Sequence, residues 1–404
     1  MNTSLLSNFQ PEAIIPNDIN DLSNFISKNN LTDISFFTPK QYLKPFTNLN
    51  IDKNKVVTFI EMKNLNKIIN FYENDLVITV ETGIKLTELN SNLAKYNQCF
   101  YPISNLESID ENKNFKVNEI SLIDLIASNN GGFYETSTAG LRHQILGIDA
   151  VLPNGKIVNG GGIVVKNVTG FDITKLFIGS HNSLAIPVNV SLRLRAKANL
   201  SDFFIISDNE ITNLLNIYRQ FVNDNLNIAG LEIFNSGFAD LVNLKCPIPN
   251  NYFLIVQFYD SIIDKEKLSQ VLDSKYLITS LANNQLNSDY FSGFAMLDNY
   301  NKLEFSFAPN CLKLLLANIP DMPFFYRPKT NRLFYYLENT CDINKIFDTC
   351  QNLDKAITLS YCANCLSFNI KRFNQNDNWE FYLYKKYKDF YDPKNTLNPL
   401  VSFI

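Results

Sequence analysis

The sequence predicts an α+β protein of two layered domains, on three observations. Its 404 residues exceed one ordinary domain and supply enough chain for two substantial cores. As far as Arg195, short apolar runs with strand periodicity alternate with glycine-bearing turns. Beyond the polar stretch Ala196 to Asp202, the pattern lengthens into strands alternating with helices, as in a sheet covered by helices on one side. The expected organisation is a first domain over 1–196, a second over 197–385, and a tail over 386–404 that returns to the first.

In the first domain Val56 to Met62 and Leu76 to Thr82 read as strands, and Leu86, Leu89 and Leu93 share one helix face. Leu146 to Leu152 and Lys156 to Val158 form a hairpin across Pro153-Asn154-Gly155, whose glycine supplies the positive φ of the turn. A short helical pattern over Ile173 to Ile178 precedes the alternating strand Leu184 to Leu194. In the second domain helices are expected near Ile211 to Phe221, Lys265 to Leu272, Leu312 to Ile319 and Ile343 to Leu353. Strands are expected at Leu231 to Phe234, Tyr252 to Tyr259, Leu303 to Phe307, Phe324 to Arg327, Leu333 to Leu337 and Ile357 to Cys362. The tail Tyr391 to Pro399 has two X-Pro steps and reads as extended and packed.

Composition narrows the function. With 46% hydrophobic and 19% charged residues, 14 Gly and 15 Pro, the chain is neither disordered nor of low complexity. A net charge of −4 gives no general attraction to nucleic acid or anionic lipid. Met1 to Asn20 lacks the basic and apolar regions of a signal peptide, and no run of about 18 apolar residues is present to span a bilayer. The expected location is the cytoplasm, or the periphery of the inner membrane through partners. The seven cysteines are an odd, scattered set, so reduced thiols are expected. Cys341, Cys350, Cys362 and Cys365 lie close in sequence, but their spacing suits buried thiols better than an iron–sulfur centre, and no metal site is assigned.

The most informative stretch is Gly160-Gly161-Gly162, Val164-Val165-Lys166-Asn167-Val168-Thr169-Gly170-Phe171-Asp172 and Leu176-Phe177-Ile178-Gly179-Ser180. Glycines beside hydroxyl and amide side chains let backbone N–H groups approach a large anion, although any one of them also reads as a turn glycine. In order and spacing the stretch resembles the FAD-binding domain of the PCMH-type (vanillyl-alcohol-oxidase-like) flavoproteins, in particular the glycolate oxidase and D-lactate dehydrogenase group, with its G-G-x-V-V-K-N-V-T-G-Y-D pattern. Ala127-Ser128-Asn129-Asn130-Gly131-Gly132 resembles that group's A-T-N-A-G-G, and Val80-Glu81-Thr82-Gly83-Ile84-Lys85-Leu86 its V-E-P-G-V-x-L. Asp392-Pro393-Lys394 with Leu397-Asn398-Pro399 is similar to its closing signature.

The resemblance implies a two-subdomain FAD-binding fold followed by a cap domain. It implies dissociable, non-covalent FAD, with Thr82, Gly83, Asn129, Gly131, Gly132, Gly170, Asp172, Gly179, Ser180 and Ile186 as cofactor-binding positions. Among relatives it is most similar to the FAD-binding accessory (E) subunit of glycolate oxidase. Such a subunit works on a small 2-hydroxy acid beside a catalytic flavoprotein subunit and an iron–sulfur subunit. The only histidines, His143 and His181, lie in the first domain, so the cap supplies no imidazole base. Arg219, Arg327, Arg332 and Arg372 are the second-domain guanidinium groups able to hold a carboxylate, though a solvated surface position is the plainer reading of each. No catalytic residue is assigned.

Two departures keep alternatives open. Ile34 to Phe46, where the family has a glycine-rich phosphate loop, holds no glycine, and Pro39 and Pro45 remove two amide donors. Asn182 and Ala185 replace glycines of the family pattern; Asn tolerates positive φ and Ala does so poorly. Either FAD binds with help from Thr38, Lys40 and Lys44, or the chain is a scaffold with a decayed flavin site. A free-standing D-2-hydroxy-acid dehydrogenase is the third reading.

Overall fold

A computed structural model describes residues 12–29, 34–37, 56–100, 120–129, 131–163, 173–244, 250–259, 265–272, 274–281, 301–337, 358–363 and 379–398, with a few isolated positions between them. The chain opens with β1 (Glu12–Ile14), α1 (Ile19–Asn29), β2 (Ile34–Phe37) and β3 (Val56–Ile60). These strands form a parallel sheet in the order β1-β3-β2. α1 begins where the Asp18 carboxylate accepts the Asp21 amide at 2.8 Å, and it buries Leu22 and Ile26, four residues apart on one face.

β4 (Ile68–Tyr72), β5 (Val77–Glu81), α2 (Leu86–Ala94), β6 (Gln98–Cys99), α3 (Leu122–Ser128), α4 (Glu135–Thr138), α5 (Leu141–Gln144), β7 (Ile145–Val151), β8 (Ile157–Gly161), α6 (Thr174–Phe177), β9 (Ile186–Arg193) and β10 (Arg195–Ala196) follow. β4, β5, β9, β7 and β8 make a five-stranded sheet in that order. The expected hairpin is β7–β8, pairing Gly147 with Gly161 and Val151 with Ile157, and Gly155 turns it at φ +81°. Leu86, Leu89 and Leu93 of α2 and Leu122, Leu125 and Ile126 of α3 pack on this sheet as one core. A second core joins α1 to Phe36, Ile60 and Val188 between the two sheets.

After 197–202 the chain enters a second sheet system: β11 (Phe203–Asp208), α7 (Ile211–Asn223), β12 (Ile228–Asn235), α8 (Ser236–Leu241), β13 (Tyr252–Phe258), α9 (Lys265–Val271), β14 (Ile278–Leu281), β15 (Asn301–Ser306), α10 (Leu312–Asn318), β16 (Phe324–Arg327), β17 (Arg332–Leu337) and β18 (Thr358–Ala363). The eight strands form one antiparallel sheet, in the order β14-β11-β13-β12-β16-β17-β15-β18. Strand periodicity divides its side chains between two faces. Leu231, Ile233, Leu303, Phe305, Leu333 and Tyr335 face α7, α9 and α10. Phe234, Phe253, Phe325, Phe334 and Tyr336 face the other way and form an aromatic core with Phe133 and Tyr134 of the first half. The aromatic runs at 324–326 and 334–336 are therefore sheet core.

The last described element is α11 (Trp379–Tyr391), longer than the short helices around it and not anticipated from the sequence. Past it the chain crosses to β2: the Phe36 amide donates to Thr396 O and the Asn398 amide to Phe36 O, both at 2.7 Å, and Leu397 is fully buried. Of the cysteines, Cys99 and Cys311 are buried free thiols; Cys341, Cys350 and Cys365 lie outside the described residues. The expected helix over Ile343 to Leu353 also falls largely outside them.

Candidate functional site

α3 ends at Asn129, which takes left-handed backbone angles (φ 49°, ψ 38°). Against this helix end lies the loop that follows α6. The Gly179 amide donates to Ile126 O at 2.9 Å and the His181 amide to Ala127 O at 3.0 Å. Two sequence motifs far apart in the chain thus meet as one floor, with Gly132 at φ +63° and Gly179 at φ +83°. At Gly179 a Cβ would stand 3.1 Å from the Asn129 Cβ. Gly179→Ala should therefore cost at least about 1–2 kcal/mol from backbone strain alone, measured by urea unfolding. The loop is tied internally by Ser180 Oγ donating to Phe177 O at 2.8 Å and Ser183 Oγ donating to Ser180 O at 2.6 Å. Asn182 takes φ +55°, doing the conformational work of the glycine in the pattern it resembles, whereas Ala185 is buried and keeps out of the left-handed region.

Other sequence-predicted positions are committed to packing. The Thr82 hydroxyl donates to Pro187 O at 2.7 Å and its amide to Val188 O at 2.8 Å. Gly83 lies against the carbonyl of Met62, where no Cβ fits. Ile186 is fully buried at the start of β9. Gly170 and Asp172, with Thr38, Lys40, Lys44 and Arg372, lie outside the described residues. His143 is exposed, while His181 is 6% exposed in the loop beside Gly179.

At the start of α3, Asp124 Oδ2 accepts from the Ser121 amide (3.1 Å) and hydroxyl (2.7 Å). Burial lifts its carboxyl to about 6 despite these bonds. The native state then holds a proton that the unfolded chain has released between about pH 4 and 6, so this group lowers stability as pH rises through that window. Asp124→Asn should flatten that slope and raise neutral-pH stability, compared by denaturant unfolding at about pH 5 and about pH 7.

A second feature spans the seam between the halves. Residues 133–138 lie on β12 and β13: Tyr134 Oη donates to Gln257 Oε1 at 2.9 Å, Thr136 Oγ1 donates to Leu231 O at 3.2 Å, and Ser137 Oγ and Tyr259 Oη hydrogen-bond at 2.8 Å. Beside them lie six charges. Arg327 Nε donates to Glu232 Oε1 at 2.7 Å and its Nη1 to Glu135 Oε2 at 2.9 Å. Arg332 Nη1 donates to Glu135 Oε1 at 2.8 Å and to Asn129 O at 3.0 Å, and its Nε and Nη2 reach Glu304 Oε1 at 2.8 and 2.7 Å. Lys302, partly buried, lies 4.7 Å above the Phe334 ring. Three carboxylates thus face three cations.

Arg327 and Arg332 sit directly opposite each other on β16 and β17, an unfavourable like-charge pairing that the glutamates offset. Burial would push the Glu304 carboxyl up, but Arg332 and Lys302 hold it below the usual carboxylate range. Burial pulls Lys302 down to about 8 against the pull of Glu304. For Arg332, burial is outweighed by Glu304 and Glu135, which hold its charge firmly.

The expectation of a solvated position fails for Arg327 and Arg332, which are 4% and 6% exposed, while Arg219 lies on the surface. The reason is strand periodicity: both point to the same sheet face as Phe325 and Phe334. Sequence reading also passed over Glu135, Glu232 and Glu304. The available signal was a lone acid inside an apolar strand, as in Leu231-Glu232-Ile233 and Leu303-Glu304-Phe305, since such a group is buried only when paired. Among the described residues no group of three His, Cys, Asp or Glu is placed to hold a metal, and no helix is long and apolar enough to cross a membrane.

The architecture, a first half built on a three-stranded and a five-stranded sheet with the short β6–β10 pair, and an eight-stranded cap sheet on it, is shared with solved structures. p-Cresol methylhydroxylase with substrate bound aligns over 97% of this chain and 88% of its own, with a TM-score of 0.69 at 14% identity. The fold is that of the PCMH-type flavoproteins. In sequence the chain is homologous to FAD-linked oxidoreductases. It is 30% identical over 140 residues to an uncharacterised FAD-linked oxidoreductase of Mycobacterium tuberculosis, covering 34% of this chain and 28% of that one. It is 29% identical over 135 residues to the glycolate oxidase subunit GlcD of Bacillus subtilis, covering 33% and 27%. The matched segment thus spans under a third of either relative's length. No protein-family model matches the sequence.

Proposed function

We propose that this PCMH-fold chain is the FAD-binding accessory subunit of a glycolate-oxidase-like complex that oxidises a small 2-hydroxy acid, beside a catalytic flavoprotein subunit and an iron–sulfur subunit. The observation that carries the accessory role is the seam: Arg327 and Arg332, the buried cap guanidinium groups among the described residues, are answered by Glu135, Glu232 and Glu304 of the chain itself. The floor fits a flavin cofactor in its backbone conformation, because Gly132 and Gly179 hold positive φ beside Asn129 and Ser180 where the two motifs meet. Asn129, Gly131, Gly132, Gly179 and Ser180 would hold FAD, with Gly170 and Asp172 following from the family pattern; Thr82, Gly83 and Ile186 keep the surrounding backbone packed. A bound flavin would supply the hydride acceptor. This chain's part is to bind and orient it and to keep water from it.

A scaffold without flavin is the second reading, favoured by the glycine-free stretch Ile34 to Phe46. The test is to purify the chain, add FAD, desalt and record the visible spectrum, then add glycolate and D-lactate. Retained flavin absorbance that neither acid bleaches, together with co-purification of two partner subunits, is the expected outcome. A colourless protein that still assembles makes it a scaffold. Bleaching by the isolated chain makes it a dehydrogenase in its own right and refutes the accessory role.

A further inference from the structure

Of the six charged groups that the described residues bring to the seam, Glu135 alone comes from the first half of the chain. Its carboxylate is bound as a small anionic ligand would be, with Oε1 on Arg332 Nη1 at 2.8 Å and Oε2 on Arg327 Nη1 at 2.9 Å. Glu232 and Glu304 hold the same two guanidinium groups from within the cap sheet through Nε, and through Nη2 of Arg332, so each extends its Nη1 toward the first half. At the seam the described cap residues therefore present three cations against two carboxylates, and one carboxylate completes the balance.

The niche is shaped around Glu135. A Cβ at Gly131 would lie 2.9 Å from its Cγ, so this glycine leaves room for its stem. The side chain is 4% exposed.

We propose that Arg327 and Arg332 form a carboxylate-binding site that the chain fills with its own Glu135, and that shortening this side chain turns it into a site for a free small monocarboxylate. The two-guanidinium geometry selects a planar carboxylate, and the stem removed in Glu135→Ala leaves space matched to acetate or glycolate. This deepens the accessory reading above, since a self-filled site takes no 2-hydroxy acid, but the contacts are independent of flavin. The test reads anion binding without flavin, so its failure is distinct from failure of that reading.

The experiment compares wild type, Glu135→Ala and Glu135→Gln, following thermal unfolding and titration calorimetry with acetate and glycolate. Acetamide and chloride at matched ionic strength are the controls. Glu135→Ala should show a saturable rise in melting temperature in the millimolar range with either carboxylate, binding at least about ten-fold tighter than to wild type. Acetamide and chloride should give no such rise. Glu135→Gln, whose amide still fills the niche, should respond no more than wild type. Adding Arg332→Met to Glu135→Ala should abolish the response. A folded Glu135→Ala protein indifferent to carboxylate, or wild type binding acetate equally well, overturns the inference. If Glu135→Ala folds only from denaturant, refolding yields in acetate and in chloride decide: a higher yield in acetate supports the site, and equal yields overturn it.

Discussion

Arg332→Met should destabilise the protein by about 3–5 kcal/mol, because it leaves buried carboxylates without their shared cation. Arg332 donates to Glu304, Glu135 and the carbonyl of Asn129, so one substitution opens the cap sheet, the seam and the end of α3 together. Arg327 still serves Glu135, and the loss falls mainly on Glu304, 8% exposed, which keeps Lys302 but no longer has its hydrogen-bonded guanidinium. Adding Glu304→Leu should restore a good part of the loss, since an apolar pair in this sheet face costs less than a lone carboxylate. Denaturant unfolding of the two single variants and the double variant checks this. A cost below about 1 kcal/mol for Arg332→Met would mean that water enters the seam and screens the charges.

Asp392→Ala is the second large effect. Asp392 is 2% exposed and its carboxylate accepts four hydrogen bonds: from Lys388 Nζ (2.6 Å), from the Thr396 amide (2.7 Å) and hydroxyl (2.8 Å), and from the Leu397 amide (3.1 Å). Lys388 in turn donates to Ser183 O at 2.9 Å and Leu397 O at 3.1 Å, and Asn398 Nδ2 donates to His181 O at 2.7 Å. Burial pulls the Lys388 ammonium down, and Asp392 is what supports its charge. Removing the carboxylate should cost about 3–5 kcal/mol and free the chain beyond Tyr391 to limited proteolysis. Under the proposed function it should also weaken FAD retention, because the tail holds the carbonyls of the loop that begins at Gly179. A variant as protease-resistant as wild type would show that Leu397 burial alone anchors the tail.

Elements with a clear period were legible in the sequence. The β7–β8 hairpin follows from its turn residues, α2 from its leucine spacing, and β16 from an apolar run bounded by turn residues. β11 was passed over because Phe203-Phe204-Ile205-Ile206 is continuously apolar, buried on both faces and without a period. β4 was missed for the opposite reason: it is an edge strand with Ile68, Ile69 and Tyr72 exposed, so no buried face imposes alternation. The candidate cofactor floor was legible through motif order, since glycine and asparagine at positive φ are local requirements that only a few residue types meet.

Turns, glycine positions and the elements with a clear hydrophobic period follow from interactions within a few residues. The two-sided burial of β11, the edge position of β4 and above all the state of the charges follow from tertiary packing. Glu135 stands 192 and 197 residues before Arg327 and Arg332, and no periodicity connects them. The physical reason is that a charge is costly or stabilising according to the water it loses and the partner it gains, and both are set when the cap sheet closes on the first half.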